Sequence, residues 1–174
     1  MHWKPNGHDH VLDYMKALFA KFLLHEDCSY DFENQLISNP ERLIDGEYVV
    51  IHPASENSNI LWDIQSWVDL IRHINNKGYL VIITGRGMMD QTISQELETY
   101  DLNIKSYVNQ FNWNEFVSIV YHSVCTISVE TVCGHIAALY QVPVIALYGG
   151  FSNVDLWAPT GNDVDVFSPI KDIE

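Results

Sequence analysis

The chain has 174 residues, of which 47% are hydrophobic, 12% aromatic and 18% charged, which predicts one folded domain and excludes a disordered or fibrous protein. With 23 acidic residues against 9 Lys and Arg, the formal net charge is -14, and the resulting repulsion argues against nucleic acid as a partner. No apolar run reaches the roughly 20 residues of a membrane span, and an odd cysteine count of 3 favours a reducing compartment, so we expect a cytoplasmic chain.

Residues 1–47 are predicted to form a lead-in helix and an acidic connector. Apolar residues recur at helical spacing over Val11–Leu23, which is typical of an amphipathic helix. The following stretch, Glu26–Glu47, is acidic and contains turn-forming dipeptides. We therefore expect the main domain to occupy residues 48–174.

The main domain begins with the pattern of a strand–helix–strand unit. Tyr48–His52 and Tyr79–Thr84 are continuous apolar runs, as expected of strands that are buried on both faces. Between them, Ile64–Ile74 keeps helical spacing. Asp63 is the candidate N-cap of this helix and Gly78 its stop signal.

The alternation of helices and strands continues to about residue 148, and the acidic tail from Asn162 to Glu174 ends without a closing helix. The alternation of helices and strands predicts an α/β fold with a Rossmann-like, doubly wound parallel sheet. Ligands bind such sheets beyond the carboxyl ends of the strands. The remaining elements are expected to be a helix at 89–100, a strand at 104–108, a helix at 113–122 capped by Asn112, a strand at 124–128, a helix at 132–140 and a strand at 142–148.

The segment Ser128–His135 is the sharpest candidate site. It takes a strand through a short polar loop into a helix that is expected to begin near Thr131 and Val132, where free amides would form an anion site. Thr131 could cap the helix or donate its hydroxyl to a ligand, and His135 lies one turn further on. Alternatively, Thr131 only caps the helix and His135 is a hydrogen-bonded core residue.

Two further candidates follow the predicted strands. Gly85-Arg86-Gly87 lacks the third glycine of a dinucleotide fingerprint. It is either a turn that needs positive φ, or a loop whose amides and Arg86 face a phosphate or a base. Phe111 could stack on a nucleobase, or it could pack in the core with Trp113 and Phe116.

These segments resemble the heptosyltransferases of glycosyltransferase family nine. The loop His52–Ser55 stands where the family has its first donor loop, and Trp62 matches the family's tryptophan. Glu130, Thr131 and His135 match the acid, the hydroxyl and the histidine of the family's main motif. Pro143 and Gly149 match the proline that begins a later strand and the glycine that ends it. The resemblance implies one half of a GT-B fold, the C-terminal donor-binding half, without the N-terminal acceptor domain.

The resemblance also implies a function and a set of donor-binding residues. The expected ligand is a nucleotide-sugar, ADP-heptose-like, used for inverting transfer in lipopolysaccharide biosynthesis, with fixed amides in place of a metal ion. A partner chain or a homo-oligomer would complete the assembly, and no catalytic residue is assigned. The expected donor-binding residues are Ser55, Gly85, Arg86, Glu130, Thr131, Val132, His135 and Gly149.

Several residues depart from the family pattern. Ile60 stands in place of the lysine two residues before the tryptophan, Val132 in place of a glycine, and Glu130 in place of an aspartate. Residues 106–170 contain no Lys or Arg. These departures favour an alternative function, in which the chain is a degenerate non-catalytic module or one half of a split enzyme that acts as an interaction unit.

Overall fold

A computed structural model describes residues 37, 39–55, 61–150 and 152–168 of the chain, so the predicted lead-in helix lies outside the described residues. The elements are β1 (Tyr48–His52), α1 (Ile64–Asn76), β2 (Leu80–Ile83), α2 (Met88–Leu97), β3 (Ile104–Ser106), α3 (Trp113–Tyr121), β4 (Cys125–Val129), α4 (Val132–Leu139), β5 (Val144–Leu147), α5 (Val154–Trp157) and β6 (Val164–Phe167).

The strands form one parallel sheet in the order β3-β2-β1-β4-β5-β6. Residues of α1 and α2 pack with one face of the sheet, and residues of α3 and α4 pack with the other. The order reverses between β1 and β4, so that their carboxyl ends flank a crevice. The prediction of a Rossmann-like α/β fold is confirmed.

The helix boundaries follow local capping chemistry that the sequence predicts. Asp63 accepts a hydrogen bond from the amide of Ser66 at 2.9 Å at the start of α1, and Gly78 ends the turn after α1 with φ +92°. Asn112 and Glu115 form a reciprocal capping box at the start of α3, which satisfies two otherwise free amides.

The end of the predicted connector packs on the α3 face of the sheet. The Ser118 hydroxyl donates to the carbonyl of Glu41, and the His122 imidazole lies 2.8 Å from the carbonyl oxygen of Pro40. Ile44 is buried in the same core. The connector therefore contributes to the core, and the domain boundary at residue 47 stays a prediction.

Two elements were not predicted from the sequence, α5 and β6. The side chains of Val164 and Val166 pack against the α3 face, while Asp165 and Phe167 are exposed. Such a short, acidic, half-buried edge strand has the composition of a polar tail. No helix in the described part of the chain has the length and apolar character needed to cross a membrane.

Candidate functional site

Two adjoining cavities lie at the carboxyl edge of the sheet, and Val132 lines both. The first, which we call the Tyr107 cavity, has a volume of about 300 Å³ and is lined by His52, Thr84, Gly85, Arg86, Tyr107, Asn109, Phe111, Asn112, Trp113, Phe116 and Val132. The second, the Thr131 cavity, has a volume of about 430 Å³ and is lined by Glu130, Thr131, Val132, His135, Tyr148, Ser152 and Trp157.

Thr131 precedes α4 as its N-cap residue, but its side chain does not cap the helix. The backbone is extended, with φ -140° and ψ 168°, and the side chain makes no capping hydrogen bond. Its Oγ1 atom is buried and has no hydrogen-bond partner among the described residues. A buried hydroxyl without a partner is costly, so this atom is available to a ligand in the cavity.

The close approach of α4 to β4 depends on small residues in the helix. A Cβ atom at Gly134 would lie 2.9 Å from Ser128 Oγ and 3.2 Å from Pro159 Cγ, closer than normal packing allows. Ala137 and Ala138 are buried in the same interface. Because no larger side chain intervenes, the first turn of α4 lies close against the sheet. This close packing fixes the position of the free amides at the start of the helix.

Glu130 connects two loops of the site. One carboxylate oxygen accepts a hydrogen bond from the amide of Gly149 at 3.2 Å, and the other accepts from the hydroxyl of Ser152. Burial, followed by the charge of Glu130, raises the pKa of Tyr148 to about 12. The carboxylate therefore joins the loop after β4 to the loop after β5.

In the Gly85-Arg86-Gly87 turn, two of the three backbone amides donate hydrogen bonds to neighbouring side chains. The Arg86 amide donates to Asp90 Oδ2 at 3.2 Å, and the Gly87 amide donates to Asn109 Oδ1 at 2.8 Å. Gly87 has φ +127°, and a Cβ atom on Gly85 would overlap the Asp90 carboxylate at 2.2 Å. The turn needs glycine for its own geometry, as the structural alternative predicts. The exposed Arg86 side chain lines the Tyr107 cavity, so contact of this loop with a ligand stays a prediction.

Three neighbouring polar side chains lie at the Tyr107 cavity, and two of them, His52 and Thr84, line it. His52 Nδ1 is 3.1 Å from Thr84 Oγ1, and His52 Nε2 is 3.9 Å from Asp90 Oδ1. Burial lowers the pKa of His52 to about 4 and raises the pKa of Asp90 above its usual value. Asp90 Oδ1 has no hydrogen-bond partner among the described residues. His52 is therefore a neutral imidazole at pH 7.

Aromatic rings form one wall of the Tyr107 cavity. Tyr107 and Phe111 are stacked, with ring centroids 4.6 Å apart and planes at 29°. Lys105 Nζ lies 4.9 Å from the centre of the Tyr107 ring, and the rings of Trp113 and Phe116 are 5.7 Å apart. Flat aromatic rings that line a cavity are suited to contact with a planar ring system.

The structure brings together most, but not all, of the residues predicted to bind the donor. Six of them line the two cavities: Gly85, Arg86, Glu130, Thr131, Val132 and His135. Ser55 and Gly149 line neither, and Gly149 reaches the site through its bond to Glu130. Ile60 lies outside the described residues. Among the described residues there is no cluster of His, Cys, Asp and Glu that could hold a metal ion.

Sequence reasoning missed several of the cavity residues. Thr84, Tyr107 and Asn109 follow β2 and β3, and Tyr148 and Ser152 follow β5. The available signal was their position directly after predicted strands. These residues show no recognisable spacing along the sequence, because they come together only when the sheet forms.

Solved structures with the same fold are glycosyltransferases. An Escherichia coli heptosyltransferase, WaaC with ADP, matches with a TM-score of 0.71 at 18% identity over 92% of this chain and 51% of that chain. The same enzyme with ADP-2-deoxy-2-fluoro heptose matches with a TM-score of 0.71 over 96% of this chain. A family 9 glycosyltransferase from Veillonella parvula DSM 2008 matches with a TM-score of 0.66 at 19% identity, over 74% of this chain and 37% of that chain. The fold is that of one half of these GT-B enzymes.

The sequence assigns the family. The family model for glycosyltransferase family 9 (heptosyltransferase) matches residues 2–172, so the chain belongs to that family. A curated relative, lipopolysaccharide heptosyltransferase 3 of Escherichia coli strain K12, is 29% identical over 125 residues. That match covers 69% of this chain and 36% of the relative, so the matched region is about a third of the relative's length.

Proposed function

We propose that this chain binds the nucleotide-sugar donor of a heptosyltransferase-like reaction. Membership of family 9 supports the reaction class. The observation that carries the proposal is the buried Thr131 Oγ1, which has no partner among the described residues and lies at the start of α4 beside a cavity.

The diphosphate belongs in the Thr131 cavity. Free amides at the start of α4 and the positive end of its dipole favour an anion there, and His135 lines the same space. Glu130 repels a phosphate and is already bonded to Gly149 and Ser152. Its role in this proposal is to position the two loops.

The nucleobase belongs in the Tyr107 cavity. The aromatic rings of Tyr107 and Phe111 offer contacts for a planar base, and Val132 lies between this space and the Thr131 cavity. The structural neighbours were solved with ADP and with a fluorinated ADP-heptose, which supports an ADP-heptose-like ligand here. Transfer would require an acceptor-binding part, supplied by a further domain, a partner chain or a second copy.

One observation favours the alternative of a non-catalytic module. Val132 is 48% exposed and its side chain stands at the junction of the two cavities. A β-branched residue there narrows the path along which a diphosphate would join base to sugar. We therefore expect weak binding, with a dissociation constant of about 0.1–1 mM.

Calorimetric titration of ADP into the full chain and its Thr131→Ala variant tests the proposal. Loss of one hydrogen bond to a charged group should weaken binding about tenfold or more, with little change in melting temperature because the side chain does not cap α4. Thr99→Ala, at an exposed threonine beyond α2, is the matched control. Equal affinities with a lowered melting temperature for Thr131→Ala would refute the role in binding.

A further inference from the structure

An apolar groove lies on the α1 side of the sheet, beside β5 and β6, and Tyr148 lines both this groove and the Thr131 cavity. It has a volume of about 610 Å³, and the side chains that matter are Leu61, Trp62, Leu70, Ile145, Leu147 and Phe167. We call it the β5–β6 groove. Its lining is unusual for a surface, because contiguous exposed apolar side chains mark a site that another element or molecule covers.

The strand order explains why this face is open. Right-handed crossovers in the order β3-β2-β1-β4-β5-β6 place α1 and α2 over β1 to β3, and α3 and α4 on the other face. No crossover within the six-stranded unit can therefore cover β5 and β6 on the α1 side. The burial pattern agrees: Val144 and Ala146 are buried, whereas Ile145 and Leu147 are only partly buried.

We infer that the β5–β6 groove is the docking site for residues 11–23 of the same chain. This segment has the longest amphipathic pattern outside the described residues, and its apolar stripe consists of Val11, Leu12, Met15, Leu18, Phe19, Phe22 and Leu23. As a helix it would be about 20 Å long. That length crosses three strands spaced about 4.8 Å apart.

The charge beside the groove and the length of the connecting residues 24–36 both agree with docking of residues 11–23. On a helical projection, Lys16 and Lys21 flank the apolar stripe on either side. One acid, Asp165, shares an exposed face of β6 with Phe167, which lines the groove. Residues 24–36 can span at most about 43 Å, whereas a sheet with one helix layer is roughly 20 Å thick.

The inference does not depend on donor binding, and hydrogen exchange of the full chain tests it. Amides of residues 11–23 should be protected, and Phe167→Asp should remove that protection while leaving β1 to β4 protected. Phe167 is 60% exposed, so the sheet does not need it to fold. Met88→Asp, at a side chain 83% exposed on α2, is the control and should change nothing in this segment. An unprotected segment in the unaltered chain would overturn the inference.

A photocrosslink identifies the occupant directly. With p-benzoylphenylalanine at position 167, irradiation should join the groove to a peptide from residues 11–23 in a product of monomer mass. A product of dimer mass would assign the groove to a second copy and contradict docking within one chain. Crosslinks only to peptides other than residues 11–23 and the groove's own lining would also contradict it.

Discussion

The absence of a side chain at Gly134 sets how closely α4 approaches β4. Gly134→Ala should lower the free energy of unfolding by about 1 kcal/mol, because an overpacking cost of about 1–3 kcal/mol outweighs the gain in helix propensity of about 1 kcal/mol. Urea denaturation measures the change. The double variant with Ser128→Ala removes the 2.9 Å contact and should recover part of the loss. A single variant as stable as the unaltered chain would show that α4 can move away from β4.

The buried His52 predicts a pH dependence of stability. Its pKa is lowered to about 4 from 6.5, so between these values the unfolded chain binds a proton that the folded chain does not. Stability should therefore fall as the pH decreases from about 6.5 to 4, by up to about 3 kcal/mol from this residue. His52→Gln should flatten the slope, as measured by denaturation at a series of pH values.

Asp90 provides the opposing control. Its raised pKa means that the folded chain takes up the proton more readily, which adds stability at low pH and is lost as the pH rises through the folded pKa. Asp90→Asn should therefore steepen the slope. If His52→Gln leaves the slope unchanged, the imidazole is not buried as a neutral group.

At the scale of the elements, capping and continuous apolar runs made most of the fold predictable. Asp63 and Asn112 cap their helices as their positions before apolar periodic segments predict. Strand β6 was missed because Asp163 and Asp165 alternate with its two valines, so that its apolar content becomes evident only once β5 is available to pair with it. Helix α5, with four residues, is too short to show a period.

The candidate site was predictable only in part for a related reason. Glu130 to His135 lie within one loop and one helical turn, so their proximity follows from local sequence. The Tyr107 cavity draws on β1, the segments after β2 and β3, α3 and α4, and its composition follows from strand register, which no local pattern encodes. The bonds from Glu130 to Gly149 and Ser152 likewise join residues from neighbouring loops.

At the scale of the whole molecule, charge limits how tightly an anionic donor can bind. The net charge of -14 repels a diphosphate at long range, so attraction has to come from short-range groups such as the first amides of α4. The chain spans 51% of the length of the heptosyltransferase that it matches with ADP. Binding of the donor and transfer of the sugar are therefore separate questions for this chain.

The position of the nucleotide is tested most directly by amide chemical shifts. A ¹⁵N-labelled full chain is titrated with ADP and, separately, with adenosine. ADP should shift the amides of residues 131–135 together with those of residues 107–113, whereas adenosine should shift only the second group. Shifts confined to the β5–β6 groove, or no shift at residues 131–135 with millimolar ADP, would contradict donor binding at the start of α4.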